Sequence, residues 1–127
     1  VFTSKKKTIP LYDIPLSPGS GEEMIRSDIP FEEYETDAED GDFALHISGD
    51  SMEPEIPNGS IVIVKKECDL PYGVTGAFFL NGEVYCKKLL HKDGKVFLCS
   101  VNTKYKPIQI RDEDNLKAYG RIVKVVS

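Results

Sequence analysis

Ala77-Phe78-Phe79-Leu80-Asn81-Gly82-Glu83-Val84-Tyr85-Cys86-Lys87-Lys88-Leu89-Leu90 is the stretch that decides the fold class. Two apolar, aromatic and β-branched runs flank an Asn-Gly pair, the residues a two-residue hairpin turn demands at its left-handed positions. The same texture continues on both sides. Asp93-Gly94 predicts a second tight turn before Lys95-Val96-Phe97-Leu98-Cys99-Ser100. Upstream, Asn58-Gly59 precedes Ile61-Val62-Ile63-Val64, which is β-branched throughout and too short for a helix. Phe43 to Ile47 is a further short apolar run, and Ile108-Gln109-Ile110 and Ala118 to Val126 close the chain. No segment carries a convincing helical periodicity. The expectation is an all-β domain, mostly antiparallel, whose strongly twisted sheets form an open barrel or sandwich.

The amino-terminal third reads differently. Residues 1–8 are polar and basic and read as a linker tail. Ile9 to Pro15 is apolar but carries two prolines that cannot donate ladder bonds, so it reads as an extended or edge strand. Leu16 to Gly21 is turn-rich, and Met24 to Asp42 is acidic, with seven carboxylates between Asp28 and Asp40. That stretch reads as an irregular, solvated connection around Ile29, Phe31 and Tyr34. Residues 9–42 would then be a loop and connecting segment, and residues 43–127 the β-rich core of one domain spanning 9–127. A chain that opens on Val1 without Met suggests a fragment of a longer protein.

Composition narrows the function. The 127 residues are 40% hydrophobic and 29% charged, ordinary for one soluble globular domain. A net charge of −5 argues against direct nucleic-acid binding, because phosphate contacts need clustered Lys and Arg. No apolar run approaches a membrane span, and no signal peptide opens the chain. Cys68, Cys86 and Cys99 lack metal-ligand spacing and read as reduced thiols of a cytoplasmic protein. His46 and His91 form no ligand set, so neither a metal nor a cofactor is expected.

One loop calls for an explanation of its own: Ser48-Gly49-Asp50-Ser51-Met52-Glu53-Pro54. It can be a capped turn. It can also present Ser51 as a nucleophile, which requires a base. His46 lies on a strand and His91 in a turn, so neither is suited. Lysine remains. Lys87 and Lys88 are adjacent on one strand, and alternation sends them to opposite faces. Either could be desolvated among apolar neighbours and serve as a neutral base, or both could be surface lysines.

These segments in this order resemble the self-cleaving C-terminal domain of LexA and phage CI-type repressors, the peptidase S24 family, with the related UmuD proteins. The resemblance runs over residues 9–126. It implies a Ser–Lys dyad, with Ser51 as nucleophile and Lys87, 36 positions later, as general base. Val84-x-x-Lys87-x-Leu89 sets that register and leaves Lys88 on the outer face. The backbone N–H groups of Ser51 and Met52 would stabilise the oxyanion. The implied substrate is the chain's own upstream loop at an Ala-Gly bond, with Gly19 where that glycine belongs. Here Pro18 replaces the alanine, which predicts cleavage that is slow, shifted to another bond, or lost. The resemblance further implies a homodimer, a helix-turn-helix domain upstream that carries all DNA binding, and a RecA-type filament as trigger, as in an SOS response. Two alternatives stay open: a silent dimerisation module, and a signal-peptidase-like protease, against which stands the missing membrane anchor.

Overall fold

The computed structural model describes residues 5–13 and 31–127. Among these described residues, nine strands form one mixed sheet: β1 (Lys7–Asp13), β2 (Glu32–Thr36), β3 (Phe43–His46), β4 (Ile61–Lys66), β5 (Thr75–Leu80), β6 (Glu83–Lys92), β7 (Lys95–Cys99), β8 (Ile108–Ile110) and β9 (Leu116–Val126). Their order across the sheet is β2-β1-β3-β4-β9-β5-β6-β7-β8. Only β1 and β3 run parallel; every other pair is antiparallel. The sheet is open, with β2 and β8 at its edges, and the described residues contain no helix.

The local signals become the local structure. Asn81 and Gly82 both take positive φ (49° and 91°), as do Asp93 and Gly94 (53° and 75°), which matches the twist of the strands they join. Leu80 therefore faces Glu83, and Lys92 faces Lys95. The pattern of burial follows the sheet order. Phe43 and Leu45 of β3 point into the same core cluster as Val62 and Val64 of β4, while Ala44 and Ile63 point the other way, against Ile9. Central strands buried on both faces read as continuous apolar runs, which is how Phe43 to Ile47 and Ile61 to Val64 appear in the sequence.

Two readings of the amino-terminal third are corrected. The strand containing Pro10 is not an edge strand, because β2 lies outside it, pairing Pro10 with Glu33. The acidic stretch expected to be irregular supplies that edge. In β2, Tyr34 and Thr36 turn inward while Glu33 and Glu35 face water, so the alternation was present but masked by charge. A short edge strand bristling with carboxylates also discourages further strand pairing.

Strand β9 closes the middle of the molecule. It carries an extra residue at two places, Val123 opposite β4 and Tyr119 opposite β5, where the ladder registers slip. Such bulges bend a strand and increase its twist, which curls the two halves of the sheet toward each other.

Candidate functional site

Ser51 lies in a connection of 14 residues between β3 and β4 that is held closed by its own bonds. Ile47 N–H donates to Ser60 O (2.8 Å) and Gly59 N–H to Ile47 O (2.9 Å), pinching the base. Within it, Gly49 N–H donates to Asn58 Oδ1 (2.8 Å), and Gly49 itself has φ 107°, open to few residues but glycine. Glu53 N–H donates to Asp50 O (3.1 Å) and Ile56 N–H to Met52 O (2.8 Å). Met52, 1% exposed, anchors the loop by packing in the same cluster as Ile56, Ala77 and Cys86. Ser51 is half-buried at the surface of this anchor. Among the described residues, the Ser51 and Met52 N–H groups donate to no other backbone carbonyl.

Lys87 and Lys88 part company as alternation requires. Lys88 leaves the strand on the face opposite Lys87 and is partly exposed. It reaches back to Glu55 of the Ser51 loop, Nζ to Oε2 at 3.0 Å, so it is held in an ion pair. Lys87 is 8% exposed and belongs to no ion pair among the described residues. Its Nζ donates to Ser100 Oγ at 2.6 Å and lies 5.8 Å from the centre of the Tyr85 ring. Burial disfavours the ammonium and holds Lys87 below the ordinary lysine range; the neighbouring Cys86 and Cys99 thiols oppose this more weakly. Those thiols do not compensate the charge. Burial pushes Cys86 up to about 12 and raises Cys99 as well, so both stay protonated at neutral pH.

One short segment touches both halves. Ser100, just past β7, receives the Lys87 bond. Val101 packs against the cluster holding Met52 and Cys86. Asn102 N–H donates to Ser51 O (2.9 Å), and Asn102 Nδ2 donates to Asp50 O (3.1 Å). Asp50 is fastened further by Lys104 (Nζ to Oδ2, 2.6 Å) and by the Tyr105 hydroxyl, which donates to Oδ1 at 2.5 Å. These contacts hold the Asp50 carboxyl below its usual range, the Lys104 bond first. Two residues of chain span at most about 7 Å, so residues 100–102 hold the Ser51 backbone and the Lys87 amine in one neighbourhood. No hydrogen bond joins Ser51 Oγ to Lys87 Nζ among the described residues.

Pro18 and Gly19 lie outside the described residues. The histidines are elsewhere: His46 Nδ1 lies 3.0 Å from Asp13 Oδ1 at the surface, and His91 stacks against Tyr72. The three cysteines are free, and no cluster that could hold a metal occurs among the described residues. A cleft of about 360 Å³ lined by Pro10, Tyr12, Phe43, Lys66, Cys68 and Tyr119 includes neither Ser51 nor Lys87. Sequence reasoning passed over Ser100, Asn102 and Tyr105, although the Asp93-Gly94 turn points to the first. Counting five positions back from Lys92 and five forward from Lys95 lands on Lys87 and Ser100.

Comparison with known proteins supplies the family. The family model described as Peptidase S24-like matches residues 13–123. The chain belongs to the Peptidase S24-like family. Among curated relatives, the LexA repressor of Thermosipho africanus is 38% identical over 85 residues, which is 66% of this chain and 42% of that protein. The LexA repressor of Carboxydothermus hydrogenoformans is 39% identical over 84 residues, 64% of this chain and 40% of the relative. The LexA repressor of Syntrophotalea carbinolica is 32% identical, with 66% and 42% covered. This S24 chain therefore spans about two fifths of the length of the curated relatives it matches, and its all-β sheet is consistent with a LexA-type domain.

The burial of Lys87 carries a stability consequence independent of any reaction. An ammonium held below its ordinary range is disfavoured in the folded state, so the unfolded chain binds more protons between the lowered and the ordinary pKa. Folded stability then rises with pH through that window. Lys87→Met removes the buried charge at similar volume and should raise the midpoint of thermal unfolding by about 3–6 °C at pH 7, or roughly 1 kcal/mol. The gain should shrink as pH approaches about 10.5. Calorimetry at pH 7 and 10 checks both the sign and the trend.

Proposed function

We propose that the chain is the self-cleaving and dimerisation domain of a LexA-like repressor, a serine endopeptidase whose substrate is its own upstream loop. The observation that supports this best is the segment 100–102, which binds the Ser51 backbone on one side and the buried Lys87 amine on the other. In the proposed reaction, neutral Lys87 takes the Ser51 hydroxyl proton as Oγ attacks the scissile carbonyl. The oxyanion is received by the Ser51 and Met52 N–H groups. The protonated Lys87 returns its proton to the leaving amine, and water hydrolyses the acyl-enzyme. A site that holds its lysine below the usual range has more of the neutral form available at working pH.

Asp13 pairs with His46, five residues before Ser51. Gly19 follows Asp13 by six positions, a reach of at most about 20 Å. Dimerisation through this domain would set two upstream helix-turn-helix heads on a palindromic operator. A RecA-type filament would act as trigger by favouring the loop-docked conformer.

Pro18 is the weak point of the substrate. Its ring fixes φ and fits an alanine-sized position poorly. A displacement of about 1 Å in the scissile carbonyl can slow cleavage roughly a hundredfold. Pro18→Ala should therefore accelerate self-cleavage about a hundredfold, with intact-mass spectra at alkaline pH showing two fragments divided between residues 18 and 19. Rapid scission of the Pro18 chain at that same bond would remove the argument about proline. Absence of any cleavage in both chains would favour the second reading, a silent dimerisation module, which the Pro18 replacement itself supports.

A further inference from the structure

We propose that Ser100 is the positioning residue of the Lys87 base, holding Nζ in one orientation by a direct hydrogen bond; this rests on the self-cleavage reading. The contact is built into the sheet. Lys88 faces Cys99 in the β6–β7 ladder, so the next pair outward is Lys87 and Ser100, whose side chains leave the same face a short distance apart. The result is the 2.6 Å bond from Lys87 Nζ to Ser100 Oγ.

A lysine side chain has four rotatable bonds, and nothing charged fixes its end here. The Tyr85 ring, on the same face of its own strand, stands 5.8 Å from Nζ, the Cys86 and Cys99 thiols act on its charge only electrostatically, and no carboxylate is in ion-pair contact among the described residues. Tyr85 is itself occupied, its hydroxyl donating to Glu83 Oε2 at 2.5 Å. Ser100 is thus the hydrogen-bonding partner that remains. A hydroxyl suits the task in both protonation states, since it accepts from the ammonium and can donate to the neutral amine. A carboxylate at the same place would hold the lysine charged and disable it as a base. The placement also couples the base to the nucleophile loop, because Asn102, two residues on, bonds to Ser51 O.

The test uses the 127-residue chain carrying Pro18→Ala, with Ser100 kept, changed to Ala, or changed to Thr. Two quantities are read from about pH 6 to 11: the self-cleavage rate by intact mass, and the titration of the Lys87 ε-methylene by carbon NMR, assigned with Lys87→Arg. Ser100→Ala should cut the plateau rate about 10- to 100-fold, as expected when a base loses its alignment. It should also move the Lys87 midpoint to lower pH, because the ammonium loses its acceptor. Ser100→Thr should restore both, and the thermal midpoint should change little. An unchanged titration midpoint or an unchanged plateau rate in Ser100→Ala would overturn the proposal. So would cleavage that survives Ser51→Ala but not Ser100→Ala, which would make Ser100 the nucleophile. If no chain cleaves, the self-cleavage reading fails separately, and an unmoved Lys87 titration would then sink the Ser100 contact too.

Discussion

Ser51→Ala and Lys87→Ala, each in the Pro18→Ala chain, should each lower self-cleavage by about 10⁴-fold or more while the domain stays folded. Groups that act as one unit in covalent catalysis are strongly non-additive, so either loss should cost nearly as much as both together. The pH dependence separates the two roles. With Lys87 present, the rate should rise about tenfold per pH unit below the lysine midpoint and level off above it, because only the neutral amine accepts the Ser51 proton. With Lys87→Ala that limb should vanish, leaving at most a slow hydroxide-dependent rise. Lys88→Ala should leave the limb in place, since Lys88 is engaged with Glu55 rather than buried alone. Fragment formation followed by intact mass from about pH 6 to 11 checks the set. Retention of the alkaline limb in Lys87→Ala would remove Lys87 from the mechanism.

Gly120→Ala should be among the most damaging single-methyl additions in the chain. A Cβ at Gly120 would stand 2.2 Å from Lys65 O, 2.6 Å from Val64 Cγ1 and 2.9 Å from Lys65 C. Two of the three are backbone atoms of β4, so no rotamer change relieves the contact. The position is also where the sheet is least able to move. Gly120 pairs with Lys66 on one side and Ala77 on the other, between the two bulges of β9. Separating β9 from β4 there breaks the link between the two halves of the sheet. Overpacking that displaces backbone in this way costs about 3 kcal/mol, or about 10–15 °C in the thermal midpoint for a chain of this size. Gly73→Ala is the matched control: φ is +88° and nothing lies within 4 Å, so only backbone strain of about 1 kcal/mol is expected. Equal losses at the two glycines would refute the steric account.

The sequence spoke clearly where structure is local. Turn chemistry at Asn81-Gly82 and Asp93-Gly94 specifies φ, φ specifies the hairpins, and the hairpins specify which residues face each other. It was silent where contacts are distant. Nothing near Leu116 to Val126 says that β9 inserts between β4 and β5, because that choice depends on burying two separate apolar faces at once. Strand β2 was hidden by composition, since three of its five residues are carboxylates and only Tyr34 and Thr36 turn inward. The candidate site divides in the same way. Ser51 and Lys87 came from the family resemblance, since the residues alone left Lys87 and Lys88 equivalent, and burial now separates the two lysines physically. Ser100 was legible by counting along the hairpin. Asn102 and Tyr105, 52 and 55 positions from Asp50, were not, because only the folded sheet brings that loop to the serine.

The most direct measurement on the central assignment bypasses the Pro18 bond altogether. The chain is treated with a serine-directed fluorophosphonate, digested, and mapped by peptide mass. The account predicts one adduct, on Ser51, that grows with pH as Lys87 loses its proton and is absent in Lys87→Ala. An adduct on Ser100 instead, or equal labelling of Ser51 with and without Lys87, would contradict it.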